Sequence, residues 1–199
     1  MSAILVTGAT GQVGGALVEE LLRRGARVRA MARSEERADG FAARGVEAVV
    51  ADLERPESLP GALEGVGRAF LMSRDDPRQP EMEGAFVGAA VRAGVERIAK
   101  LSAQGASAES PVALMRRHAE AELALEGSGL DHTILRPQLY MQNLLRFGPS
   151  VAQEGRFAAP MGERRFALVD VRDVARVAAA VLTGQAHAGK TFVVSGPQT

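Results

Sequence analysis

Residues 3–14 read Ala3-Ile4-Leu5-Val6-Thr7-Gly8-Ala9-Thr10-Gly11-Gln12-Val13-Gly14, an apolar run that passes into three glycines spaced three residues apart. Apolar residues then recur every fourth position, at Val13, Leu17 and Leu21, and mark one face of a helix. Gly25 follows as a helix-ending glycine. The stretch therefore predicts a strand that turns sharply into an amphipathic helix.

The same alternation of short apolar runs and helical segments continues along the chain. Further candidate strands are Arg27–Arg33, Val46–Asp52, Ala69–Met72, Arg97–Ser102, Asp131–Arg136 and Thr191–Ser195. The runs Ile4-Leu5-Val6 and Val49-Val50 are apolar on both faces, as in strands covered by helices on two sides. Late in the chain, Asp170 is placed to cap a helix that carries Val174, Val177 and Val181. The pattern predicts an α/β protein with a Rossmann-type doubly wound parallel sheet in three α/β/α layers.

The 199 residues suffice for one Rossmann domain spanning residues 1–199. Residues 147–165 are the least regular stretch, with five glycines and prolines, and are predicted to form a lid or an excursion from the sheet on the substrate side.

Composition excludes several classes of function. Lys+Arg and Asp+Glu are 24 each, so we expect no nucleic-acid partner and no attraction to a membrane surface. The chain has no cysteine, which excludes disulfides and thiolate chemistry, and His118, His132 and His187 lack ligand-like spacing, so we expect no metal. The first residues lack a basic start, and no run reaches the ~18 apolar residues of a membrane span. We therefore expect a cytoplasmic protein.

The glycine turn is predicted to bind a diphosphate. The first glycine permits the tight turn, the second lets the backbone approach a pyrophosphate, and the third lets the helix pack against the sheet. The helix N-terminus offers unpaired N–H groups to the phosphates. No Gly-Lys-Ser/Thr follows, which disfavours a mononucleotide P-loop. The predicted cofactor contacts in the turn are Gly8, Ala9, Thr10, Gly11, Gln12, Val13 and Gly14.

A basic residue stands where an acidic one would favour NAD. Arg33 ends the second candidate strand, about 20 residues after the glycines. Its guanidinium can pair bidentately with a 2′-phosphate, with Ser34 and Arg37 as further donors. NADP(H) is therefore the expected cofactor and NAD(H) the second candidate; an ordinary surface role for Arg33 is the alternative. Asp52 is placed to accept from the adenine amino group or to serve as a loop residue, and further cofactor contacts are expected at Leu53, Met72, Ser73, Ser102 and Pro137.

Five stretches carry a resemblance to a known family: Thr7-Gly8-Ala9-Thr10-Gly11-x-x-Gly14, Ala51-Asp52-Leu53, Lys100-Leu101-Ser102, Thr133-Ile134-Leu135-Arg136-Pro137 and Val169-Asp170-Val171-x-Asp173-Val174-Ala175. From residue 3 to about residue 197, the chain resembles the NmrA-like branch of atypical short-chain dehydrogenases/reductases. That branch includes NADPH:quinone reductases, NADPH-dependent azoreductases, plant phenylpropanoid reductases and redox-sensing regulators.

Two departures from the family pattern bear on activity. The superfamily's Tyr-x-x-x-Lys pair is missing: the single tyrosine, Tyr140, is followed four residues later by Leu144, and His118 and Glu122 stand where the pair would fall. These two lie one helical turn apart and are expected to touch, either as a surface pair or as an acid/base dyad. The chain also ends at Thr199, where relatives usually continue into a small substrate-covering region, so we expect an unusually open site.

The missing pair disfavours ketone reduction, which produces a strongly basic alkoxide and benefits from a positioned acid. Quinone reduction yields a delocalised, weakly basic oxyanion that water can protonate. We therefore predict hydride transfer from NADPH to a quinone or similar flat acceptor. The alternative is a non-catalytic NADP-sensing regulator, and a homodimer is one assembly that an open sheet edge would permit. Candidate catalytic residues are Tyr140, His118 and Ser102, in a pocket predicted to be lined by Ser73, Ser102, Gln104, Pro137, Tyr140 and Asn143.

Overall fold

The computed structural model describes residues 2–159 and 167–197. Within them, one sheet of seven parallel strands has the order β3-β2-β1-β4-β5-β6-β7. The strands are β1 (Ala3–Val6), β2 (Val28–Ala32), β3 (Glu47–Val50), β4 (Val66–Leu71), β5 (Arg97–Leu101), β6 (Asp131–Pro137) and β7 (Lys190–Val194). Each coincides with a predicted strand to within three residues at either end, and the predicted Rossmann-type fold is confirmed.

Helices cover both faces of the sheet. They are α1 (Gln12–Arg23), α2 (Glu35–Ala42), α3 (Leu59–Leu63), α4 (Gln79–Arg92), α5 (Ala113–Glu126), α6 (Gly148–Glu154) and α7 (Val171–Thr183), with 3-10 turns at Pro56–Ser58 and Met141–Phe147. One apolar core joins the sheet to α1, α2 and α7, and a second joins the opposite face to α3, α4 and α5. These are the three predicted layers.

Helix α1 ends and helix α7 begins at the residues that the sequence predicts. Helix α1 ends at Arg23, and Gly25 adopts a left-handed backbone with φ of +71°. The carboxylate of Asp170 accepts a hydrogen bond from the backbone N–H of Arg172 at 2.8 Å and caps α7. Both capping predictions are confirmed.

The expectation that Val49 and Val50 are covered on both faces is met only in part: Val49 packs against the core beside α3, α4 and α5, but both residues stay half-buried. Strand β3 lies at the edge of the sheet, and all four of its residues are only half-buried. The apolar pair is typical of a covered strand, but the position of a strand within the sheet depends on pairings distant in sequence. By contrast, β1 lies next to β2 and β4, and all four of its residues are buried.

The predicted lid is helical in part. The 3-10 turn ends at Phe147, α6 follows, and the rings of Phe147 and Phe157 stack with centroids 4.9 Å apart. Residues 160–165 of the predicted lid lie outside the described residues.

The order of the strands in the sheet places a crevice beside β1. Strands β2 and β3 are added on one side of β1, and β4 begins the other side. In open parallel sheets a ligand binds beyond the carboxyl ends of the strands at this switch in direction. The glycine turn, which follows β1, opens onto that crevice.

Candidate active site

Two of the three glycines occupy positions that no other residue fits. Gly8 has φ of +61°, and a Cβ atom built on it would lie 2.7 Å from Cγ of Met72. A Cβ atom on Gly14 would lie 2.6 Å from the carbonyl carbon of Gly8. Only glycine therefore permits the turn at Gly8 and the tight packing of α1 on the turn at Gly14.

The N-terminus of α1 is available to an anion. Gly11 stands at its N-cap, so no side chain caps the first turn, and that turn contains no acidic residue. Its N–H groups and the positive end of the helix dipole therefore stay uncompensated. Ala9 and Val13 are buried in the core, so only their backbone groups can reach a ligand, whereas Thr10 and Gln12 are exposed. These features fit a diphosphate.

A groove of about 240 Å³ runs from the glycine turn across the ends of β2 and β3. Eight of the predicted cofactor residues line it: Gly8, Thr10, Gly11, Arg33, Asp52, Leu53, Met72 and Ser73. Arg33 is exposed at the groove, and the neighbouring Ser34, at the N-cap of α2, makes no capping hydrogen bond with its hydroxyl. Arg37 is not among the lining residues. One carboxylate oxygen of Asp52 accepts from the backbone N–H of Glu54 at 3.1 Å, which is the loop role considered for Asp52.

A second, larger cavity of about 740 Å³ adjoins the groove, and Met72 and Ser73 line both. Thr7 holds the ends of β1 and β4 together where the two meet: its hydroxyl donates to the carbonyl oxygen of Met72 and accepts from the N–H of Met72, both at 2.8 Å. Because Met72 and Ser73 line both sites, a dinucleotide that starts in the groove can continue into the cavity.

The cavity brings together all six residues that the sequence predicts for the acceptor pocket: Ser73, Ser102, Gln104, Pro137, Tyr140 and Asn143. His118 lines it as well. Leu101, Leu114, Met115 and Leu139 add apolar wall. Apolar surface with a few convergent polar groups is typical of a small-molecule site.

Two buried carboxylates fix the serines of the cavity wall. The hydroxyl of Ser102 donates to Glu122 on α5, and Nε of Arg136 donates to the same carboxylate at 3.0 Å. The hydroxyl of Ser73 donates to Glu83 on α4 at 2.7 Å. Because each hydroxyl has one proton, both serines face the cavity as hydrogen-bond acceptors.

His118 and Glu122 do not form the expected pair. Glu122 is buried and binds Ser102 and Arg136, whereas Nδ1 of His118 lies 3.3 Å from Nε2 of Gln79. The spacing places His118 and Glu122 on one face of α5. In the structure, however, each side chain is bound by residues of other segments: His118 by α4, and Glu122 by β6 and the residue after β5. The expectation that they touch, whether as a surface pair or as a dyad, is wrong. Burial lowers the pKa of His118 to about 4, with the positive charge of Lys100 acting in the same direction.

Lys100 and Glu83 form an ion pair in which both side chains are fully buried, and sequence reasoning missed it. Lys100 is one of only two lysines in the chain and interrupts an apolar strand. A charge in a buried strand requires a partner, so that position was a usable signal. The partner itself lies on α4, which no local pattern indicates.

Tyr140 lines the cavity just after β6. Burial raises its pKa to about 12, so the phenol keeps its proton at neutral pH. The side chain can donate a hydrogen bond, but it is a weak acid. In the described ranges, no three His, Asp or Glu side chains approach closely enough to hold a metal ion, and no helix is long and apolar enough to cross a membrane.

A doubly wound sheet, a glycine turn at the switch in strand order and a groove that leads into an apolar cavity define a dinucleotide-binding protein with an adjoining substrate site. The chain belongs to the NAD(P)H-binding family, which matches residues 8–185.

Similar proteins agree with this assignment. The chain is 35% identical to the NAD(P)H azoreductase of Xenophilus azovorans, with 98% of the chain and 68% of that protein covered. Its fold matches a Citrobacter sp. triphenylmethane reductase complexed with NADP(H) (TM-score 0.89, 31% identity, 98% of the chain and 70% of that structure covered). An NADPH-dependent quinone oxidoreductase of Escherichia coli, complexed with NADPH, matches with TM-score 0.89 and 32% identity over 98% of the chain and 70% of that structure. The protein is an NAD(P)H-dependent oxidoreductase, and the family and cofactor expected from the sequence are confirmed.

Proposed function

We propose that the protein transfers a hydride from NADPH to a quinone or a similar flat acceptor bound in the 740 Å³ cavity. The observation that carries the proposal is the continuity of the two sites through Met72 and Ser73. A dinucleotide with its diphosphate on the glycine turn and its adenosine in the groove would place its nicotinamide in the cavity. The names of the relatives, an azoreductase and a quinone oxidoreductase, support this class of acceptor.

We assign the cofactor roles as follows. The backbone of residues 8–14 holds the diphosphate, and Arg33 with Ser34 binds the 2′-phosphate of NADPH through charge-assisted hydrogen bonds. Asp52 and Leu53 border the adenine. Ser73, Ser102 and Pro137 would border the nicotinamide, and the serine oxygens are available as hydrogen-bond acceptors for it. NADPH supplies the hydride, and water supplies the one proton that completes reduction of a quinone to a hydroquinone.

The polar groups of the cavity suit an acceptor that needs no strong acid. The Ser102 hydroxyl donates its hydrogen bond to Glu122, Tyr140 has a raised pKa, and Lys100 is paired with Glu83. These residues therefore do not form a tyrosine–lysine pair that could protonate an alkoxide. The oxyanion of a hydroquinone is weakly basic and needs only hydrogen bonding and the exclusion of excess water.

The test is turnover by the purified, dialysed protein supplied with NADPH and a panel of quinones. We expect steady loss of the nicotinamide absorbance that requires both protein and quinone. Tight binding without turnover, with different affinities for NADP⁺ and NADPH, would instead support the NADP-sensing regulator considered from the sequence. The single-domain organisation, the lid at 147–165, the cytoplasmic location and the homodimer also stay predictions.

A further inference from the structure

A chain of buried polar groups runs behind the cavity wall from β5 to His118. The ammonium of Lys100 pairs with Glu83 on α4. The same carboxylate accepts from the hydroxyl of Ser73 at 2.7 Å and from Nε2 of Gln79 at 3.1 Å. Nε2 of Gln79 also lies 3.3 Å from Nδ1 of His118. This series of contacts therefore links the fully buried charge of Lys100 to the ring of His118, which lines the cavity.

The carboxylate fixes which way the amide of Gln79 points. A carboxylate that is paired with an ammonium has no proton to donate, so the Gln79 atom that faces Glu83 must be the nitrogen. The amide oxygen of Gln79 is buried and has no partner among the described residues. Such an oxygen is destabilising, but turning the amide around would set two acceptors against each other at Glu83. The orientation is thus imposed by the ion pair.

The orientation of Gln79 in turn fixes the proton of His118. The amide nitrogen has two N–H groups, one for Glu83 and one for Nδ1 of His118. Nδ1 must therefore accept, and the single proton of the neutral ring must lie on Nε2. The ring stays neutral at physiological pH because burial and Lys100 lower its pKa, although Glu83, Glu122 and Asp75 act in the opposite direction.

We propose that Lys100, Glu83 and Gln79 are positioning residues that hold His118 as the neutral Nε2–H tautomer, and that this N–H stabilises the oxyanion formed when the acceptor is reduced. The inference rests on the proposed function. A neutral imidazole donates one hydrogen bond without giving up its proton, so the electron pair delivered with the hydride comes to rest on an oxygen that His118 hydrogen-bonds. The hydride brings one hydrogen of the hydroquinone and a single proton from water brings the other, so His118 is unchanged at the end of the cycle.

Two kinds of measurement test this. In protein labelled with ¹⁵N at histidine and kept free of cofactor, NMR at pH 7 should show His118 protonated on Nε2 and bare on Nδ1. Gln79→Met, which keeps the bulk of the side chain and removes its N–H groups, should leave a mixture of both tautomers. With NADPH and a quinone, His118→Leu should lower kcat by about 10- to 100-fold. His118→Gln, which restores an N–H near Nε2, should recover part of that loss.

The KM for NADPH should stay nearly constant in these variants, because His118 lies in the acceptor cavity and not in the groove. His132 supplies the matched control: it lies near the start of β6, whereas the cavity is lined by Pro137 at the other end of that strand, and His132→Leu should leave kcat unchanged. A His118 proton on Nδ1, or a His118→Leu variant as fast as the wild type, would overturn the inference. Absence of turnover in the wild-type protein would overturn the proposed function instead, and the NMR result would still decide the tautomer.

Discussion

The hydroxyl of Ser102 donates a hydrogen bond to the buried carboxylate of Glu122, which lies 20 residues further along the chain on α5. Ser102 therefore cannot serve as the acid of the reaction without first breaking that bond. We predict that Ser102→Ala keeps kcat within about threefold of the wild type and raises the KM for NADPH modestly. A serine acting as general acid would be worth at least about 100-fold in kcat. Steady-state kinetics at saturating NADPH separate these results.

Arg33 should determine which dinucleotide the protein prefers. Arg33→Ala removes the guanidinium beside the expected 2′-phosphate, and hydrogen bonds to charged groups contribute about 1.5–3 kcal/mol, so the Kd for NADPH should rise by about 10- to 100-fold. The Kd for NADH should change by less than about twofold. Arg37→Ala is the matched control, because Arg37 is exposed on α2 but does not line the groove. Equal weakening of both dinucleotides in Arg33→Ala would remove the case for selectivity.

Two adjacent glycines of α1 should respond oppositely to alanine. A methyl group on Gly14 would press against the carbonyl carbon of Gly8 at 2.6 Å, whereas one on Gly15 would meet the carbonyl oxygen of Ala9 at 3.4 Å. Gly14→Ala should therefore lower the free energy of unfolding by about 2 kcal/mol or more and weaken NADPH binding. Gly15→Ala should be neutral, or stabilising by up to about 1 kcal/mol, because alanine favours helix. Urea unfolding and a binding titration check both; similar behaviour of the two variants would contradict the packing described for the turn.

Stability should depend on pH through His118. Its pKa is about 4 in the folded protein and 6.5 as an unperturbed side chain, so the unfolded state binds the proton more readily between these values. The stabilising contribution is complete above pH 6.5 and is lost as the pH falls toward 4. Relative to His118→Gln, the wild type should lose at most about 2 kcal/mol of its free energy of unfolding between pH 7 and pH 5. Parallel pH profiles for the two proteins in urea unfolding would show that His118 is not held neutral.

The parts of the fold that could be predicted from sequence are those encoded over a few residues. The turn after β1 follows from the spacing of Gly8, Gly11 and Gly14, and the cap of α7 follows from Asp170. The edge position of Val49 and Val50 could not be predicted, because it is decided by which strands pair across the whole sheet.

The candidate site also has a part that could be predicted from the sequence and a part that could not. Residues at the carboxyl ends of strands, such as Ser102 and Tyr140, could be placed in one pocket because parallel strands end at a common edge. The partners of His118 and Glu122 could not be predicted, because Gln79, Ser102 and Arg136 approach α5 from three other segments. Sequence spacing gave the correct helix face for both residues and the wrong contact between them.

We expect the backbone at the start of α1 to hold a diphosphate while Arg33 selects NADPH. Calorimetric titration of the unaltered protein with NADPH and, separately, with NADH measures both effects. We predict saturable binding of both, with a Kd for NADPH at least about tenfold lower than that for NADH. Equal affinities would contradict the role of Arg33, and no heat of binding from either dinucleotide would contradict the whole assignment of the groove.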